Sequence, residues 1–91
     1  MRVHFACLCC GYLTLDEEPP GTYHICDVCN WEDDYLDVTN ARDVDQPTGG
    51  PNGMLSLREA RENFERFGAA SPEWRDRVRR PRPDEQPRTL W

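Results

Sequence analysis

A small α+β domain that needs more than a hydrophobic core to hold it together is the fold class the sequence predicts. Three observations predict it. The chain has 91 residues, of which 37% are hydrophobic, and eight prolines and six glycines interrupt it. A core that small is marginal by itself and usually needs a staple. Four of the five cysteines form two tight pairs in the first third, within Cys7-Leu8-Cys9-Cys10 and Cys26-Asp27-Val28-Cys29. Finally, the clearest helical pattern lies in the second half, after a loop rich in glycine and proline.

The elements follow in order. Met1 to Ala6 reads as a short strand entering the first pair, and Tyr12 to Leu15 as a second, rich in β-formers. Asp16 to Gly21 is a turn, with Pro20-Gly21 suited to the central positions of type II. Thr22 to Ile25 is a third strand running into the second pair. Two to three short antiparallel strands, each abutting a C-x-x-C knuckle, make a zinc ribbon over residues 1–35. Residues 36–54 are an acidic loop ending in Gly49-Gly50-Pro51-Asn52-Gly53, with at most one short helical turn.

Residues 55–68 are the helix. Ser56 is the N-cap and Glu59 completes a capping box. Leu57, Ala60, Phe64 and Phe67 share one face, and Gly68 suits the left-handed stop. A shorter helix over 71–80 opens at Ser71-Pro72, with Trp74 and Val78 turned inward. Residues 81–91 read as an extended tail rich in proline and arginine, outside the single domain of residues 1–80.

The cysteine spacing is C-x2-C-x15-C-x2-C. Each pair is a turn that points two sulfurs the same way, and four thiolates satisfy a tetrahedral metal with no open position. Cys7, Cys10, Cys26 and Cys29 are the expected ligands of one structural zinc ion. Iron is the competitor, because the same four thiolates hold it in rubredoxin-like electron carriers. Cys9, in the middle of the first turn, is left over as a spare thiol. His4 and His24 are read as surface or supporting residues rather than ligands. An odd cysteine count in two tight pairs, with no secretory leader pattern, argues against disulfides and for a reducing cytoplasm. No apolar run approaches the length of a membrane span.

The net charge of −6 is unevenly placed. Residues 16–45 hold ten acids against Arg42 alone, while residues 46–91 hold nine arginines against seven acids. An acidic field repels phosphate backbones and attracts basic protein surfaces. Nucleic acid is therefore a disfavoured partner and a basic protein a favoured one. Glu32, Asp33, Asp34 and Asp37 are the candidate interaction surface, and a monomer is the favoured state.

The Cys-Leu-Cys-Cys-Gly-Tyr run, the Cys-Asp-Val-Cys-Asn-Trp-Glu-Asp-Asp run and the Gly-Gly-Pro-Asn-Gly loop before Ser-Leu-Arg-Glu-Ala-Arg stand in that order. With them, the chain resembles the bacterial cysteine-rich CPCC domain family from about Phe5 to Gly68. Two departures stand out: Leu8 replaces the proline after the first cysteine, and Asp27 stands where proline is common in such knuckles. Neither touches an expected ligand. The resemblance implies a small zinc-binding domain and carries no enzymatic activity. It marks Trp31 to Asp34 as part of the signature, with Trp31 a core residue beside the second knuckle.

No nucleophile–base pair, phosphate loop or open metal position is legible, so an enzyme is not expected. The favoured reading is a zinc-binding protein-interaction module with an acidic surface. Two alternatives are an immunity or antitoxin protein that neutralises a basic toxin, and a rubredoxin-like iron electron carrier.

Overall fold

Two knuckles of the same construction form the centre of the protein, seen in a computed structural model that describes residues 4–91. In the first, the Cys7 N–H donates to the Tyr12 carbonyl (2.9 Å) and the Cys7 carbonyl accepts from the Gly11 N–H (2.8 Å). In the second, the Cys26 N–H donates to the Trp31 carbonyl (2.9 Å) and the Cys26 carbonyl accepts from the Asn30 N–H (2.7 Å). The residue that closes each turn has positive φ, +83° at Gly11 and +67° at Asn30. Glycine enters that region freely, and asparagine is among the few other residues that tolerate it.

The expected strands do not form among the described residues, and Met1 to Val3 of the first lie outside them. Antiparallel pairing is limited to two isolated bridges, Phe5 with Leu15 and Ile25 with Glu32. The partners also differ from the ribbon reading. Each knuckle pairs its own entering and leaving segments, rather than residues 12–15 pairing with 22–25 across the turn.

Local geometry accounts for this. Tyr23 sits at φ +59° and ends the extended run before Ile25. The Leu13 N–H donates to the Glu85 carbonyl (2.8 Å) and the Thr14 N–H to the Tyr12 carbonyl (2.8 Å), so neither is free for a ladder. The turn between them contains a cis Pro19–Pro20 bond, and Gly21 has φ +86°.

Two α-helices follow. The short α1 (Ala41–Asp45) is N-capped by Asn40, whose side chain accepts from the Arg42 N–H. The longer α2 (Leu57–Phe67) begins at the Ser56 N-cap and ends at the Gly68 C-cap that the sequence predicts. The Ser56 hydroxyl accepts from the Glu59 N–H at 3.1 Å, and Gly68 adopts the left-handed conformation with its N–H on the Phe64 carbonyl. Leu57 and Ala60 are buried, and Phe64 packs against the core from its edge. Phe64 meets Tyr12 of the first knuckle edge to face, with ring centroids 6.2 Å apart.

The second predicted helix is a 3-10 helix over Pro72–Arg77. Trp74 packs partly buried against the core, and Val78, just past the end, is half-buried.

The segment after Pro81, read as an extended tail, instead folds back over the first knuckle. Pro83–Glu85 form a 3-10 turn, Glu85 is only 4% exposed, and the Thr89 N–H donates to the Gly11 carbonyl at 2.8 Å. The radius of gyration, 12.0 Å, matches the roughly 12 Å of a compact chain this long and leaves no room for a free tail. No helix among the described residues is long and apolar enough to cross a membrane.

Candidate metal centre

The two knuckles face each other and bring the sulfurs of Cys7, Cys10, Cys26 and Cys29 within 4.8 Å of one another. All four are buried and none is in a disulfide. Across the knuckles, Cys7 Sγ lies 3.6 Å from Cys29 Sγ, and Cys10 Sγ lies 3.7 Å from Cys26 Sγ. A disulfide needs about 2.05 Å. A tetrahedron of sulfurs at the usual zinc–thiolate distance has edges of about 3.8 Å. The sulfurs are thus spaced as ligands of one ion, and the donor set suits a thiophilic metal. The site can hold a metal ion, with Cys7, Cys10, Cys26 and Cys29 as its donors.

Hydrogen bonds, that from Cys10 foremost, push the Cys26 thiol far below its ordinary pKa. The same contact with Cys26 holds Cys10 up. Hydrogen bonds to Cys10 and Cys26 raise Cys7, and burial raises Cys29. Thiols must be deprotonated to act as ligands, so a bound cation would favour the thiolate forms and release protons.

Around the sulfurs, the Thr14 hydroxyl lies 3.1 Å from Cys26 Sγ, and the Trp31 N–H donates to Cys29 Sγ at 3.5 Å. Trp31 is buried beside the second knuckle, as the family resemblance implies.

The outward carbonyls of the knuckles are taken up by later parts of the chain. On the first knuckle, Arg61 Nε donates to the Leu8 carbonyl at 2.8 Å, and Arg88 Nε to the Cys10 carbonyl at 2.6 Å. On the second, the Ala70 N–H donates to Cys29 (2.8 Å) and the Arg79 N–H to Asp27 (3.1 Å). Arg88 also lies over the Tyr12 and Phe64 rings, at 5.6 and 5.2 Å, and Arg61 over Trp91 at 4.6 Å. Arg79 forms a two-pronged pair with the buried Glu85 at 2.8 Å. Three arginines thus surround the cysteine centre, where they would oppose the negative charge of ligating thiolates.

Sequence reasoning did not foresee these arginines. Their only signal was an arginine-rich second half beside four cysteines. It also missed Asn52, within what reads as a loop of structure breakers. Its side-chain carbonyl accepts from the Glu32 N–H (3.1 Å), and its amide donates to the Glu32 carbonyl (2.8 Å). Asn52 thereby supplies an edge strand's two hydrogen bonds to the outer side of the second knuckle.

Cys9 is buried in the first turn but stands outside the four-sulfur group, as the spacing predicts. His24 is exposed, with Nε2 3.7 Å from Glu17, and His4 is likewise outside the group.

The proposed acidic surface needs correction. Asp33 and Asp34 are 2% and 5% exposed. Asp33 accepts from the Thr22 N–H at 2.9 Å. Asp34 accepts from the Tyr35 N–H at 2.7 Å and from the Thr48 hydroxyl. Both are staples that hold residues 22 and 48 against the second knuckle. A buried carboxylate needs donors, and these come from distant positions that a run of acids does not reveal. Of the four surface candidates, Glu32 is half-buried and only Asp37 is exposed.

No curated protein and no solved structure gives a significant match to this chain. The family model described as Cysteine-rich CPCC matches residues 5–85. That span takes in both knuckles, α2 and the Arg79–Glu85 pair, and the chain belongs to the cysteine-rich CPCC family.

Proposed function

We propose that this protein is a non-enzymatic zinc-binding domain whose four-cysteine site is structural, and that it works as a protein-interaction module in a reducing cytoplasm. The observation that carries the metal half is the grouping of the Cys7, Cys10, Cys26 and Cys29 sulfurs within 4.8 Å of one another in a buried position. Four thiolates complete the coordination shell, so a bound ion has no place for water or substrate. Its contribution would be folding free energy, because one ion would tie the two knuckles together. Zinc is preferred to iron because the chain surrounds the site with arginine-bearing elements that a minimal electron carrier does not need. The interaction half rests on the acidic segment 16–45, minus the two aspartates that are turned inward.

Metal analysis and optical spectroscopy on the purified chain test the reading. One zinc per chain and a colourless solution are expected. A red-brown protein with visible absorbance and reversible reduction would replace zinc by iron and the structural role by electron transfer.

A further inference from the structure

Between the turn at Pro20 and the start of α1 lies a cleft of about 380 Å3, lined by Pro20, Tyr35, Leu36, Asp37, Val38 and Asp43. Its apolar part is uncovered. Tyr35 is 77% exposed and Val38 39%, while Leu36 forms the buried floor. Exposed aromatics beside a buried aliphatic floor are the composition of interface anchors rather than of ordinary surface.

The cleft is also rigid. A Cβ on Gly21 would stand 3.0 Å from the Tyr35 ring, so the ring rests directly on the Gly21 backbone. The Tyr35 N–H is held by Asp34 at 2.7 Å. The rim carboxylates are fixed as well. Asp37 accepts from both the N–H (2.9 Å) and the hydroxyl (2.6 Å) of Thr39, which keep its carboxyl below the usual range. Asp43 accepts from the Asp37 N–H at 2.9 Å. A preordered aromatic and preordered charges lose little entropy on binding.

No basic residue lines the cleft, and it lies in the segment that holds ten acids against one arginine. Such a field rejects phosphate backbones and anionic membrane surfaces and draws in cations.

We propose that this cleft docks a basic protein segment, one apolar side chain entering between Tyr35 and Val38 while flanking arginine or lysine residues pair with Asp37 and Asp43. This rests on the interaction-module reading and deepens it by naming the site and the partner's chemistry. The metal centre is not part of the proposed contact.

The test uses the full chain, 15N-labelled, with three synthetic probes. The first is a 12-residue peptide carrying four arginines around a central Leu-Trp pair. The second has glutamates in place of the arginines, and the third serines in place of Leu-Trp. Only the first should shift the amide signals of residues 35–38 and 43. Its affinity should fall about tenfold or more with Tyr35→Ala, and fall further with Asp43→Asn and with added salt. Both side chains lie outside the core and the sulfur cluster, so both variants should keep the dispersed spectrum of the folded protein.

No shifts with the first peptide, shifts away from the cleft, or equal binding of the serine peptide would overturn the proposal. Concentration-dependent shifts of the same amides without peptide would overturn it too, in favour of a second copy of this chain. Zinc content of the same samples reads the metal proposal separately.

Discussion

Single residues carry the metal centre, and an expected donor, Cys26, and the spare thiol, Cys9, make the sharpest contrast. Cys26→Ser removes a donor from a closed set, and structural zinc in small finger peptides contributes roughly 10–16 kcal/mol of binding that is also folding free energy. That variant is expected to lose bound zinc and cooperative unfolding in a thermal melt. Cys9→Ser should keep one zinc per chain and nearly the parent melting temperature; loss of zinc there would show the donors to be misassigned. Gly11 is a second fixed point. Its φ is positive, and a Cβ there would stand 2.0 Å from the Thr89 carbonyl oxygen. Gly11→Ala should destabilise by more than the 1–2 kcal/mol or so of left-handed strain, because the returning chain must also move. Asn30→Gly, at the matching position of the other knuckle, should be close to neutral in a denaturant titration. The donors were legible because their spacing is local. Asp33, Asp34 and Asn52 were not, because their partners Thr22, Thr48 and Glu32 lie 11 to 20 residues away.

Elements differ in how much of their stability is local, and that decides which were readable. α2 is specified within its own twelve or so residues by Ser56, the Leu57–Ala60–Phe64 face and Gly68, and its span was predicted closely. Ser56→Ala should cost about 1 kcal/mol in equilibrium unfolding without disturbing the metal. The strands failed for the opposite reason. The runs at 12–15 and 22–25 have the right composition, but their hydrogen bonds go to the knuckles, to Glu85 and to the Thr22 side chain. The end of the chain reads as disordered from its composition, whereas the Arg79–Glu85 pair, the Arg88 side chain on Cys10 and the Thr89 N–H on Gly11 anchor it. Arg79 keeps the Glu85 carboxyl below the usual range. A depressed folded-state pKa gives stability that is present above the unfolded value near 4.3 and is lost as pH falls through the folded one. Glu85→Gln should therefore lower stability by about 1–2 kcal/mol at pH 7, and the difference from the parent protein should shrink below about pH 4. A difference independent of pH would remove the ion pair from the account.

At the scale of the molecule, one ion is proposed to take the place of a large core. Around it, the chain wraps twice. The knuckles come first, and α2, the residues flanking the 3-10 helix and the returning segment then occupy the carbonyls the knuckles present outward, through Arg61, Ala70, Arg79 and Arg88. The charge asymmetry of the sequence gains a structural meaning here. Three of the nine arginines in residues 46–91, Arg61, Arg79 and Arg88, reach the knuckles, and the acidic half is left with a cleft at Tyr35 and Val38. The existence of a four-sulfur centre and of α2 could be read from the sequence. The second layer could not, since it joins residues up to 78 positions apart.

If the metal is the organising core, chelation of the purified, zinc-loaded chain should dismantle the fold. Zinc release and near-ultraviolet circular dichroism of the buried Trp31 should be followed together as a strong chelator is added under reducing conditions. One zinc per chain should be released, with loss of the tryptophan signal in the same step and its recovery on adding zinc back. A chain that gives up its zinc and keeps the Trp31 signal and a cooperative melt would contradict an organising role for the metal.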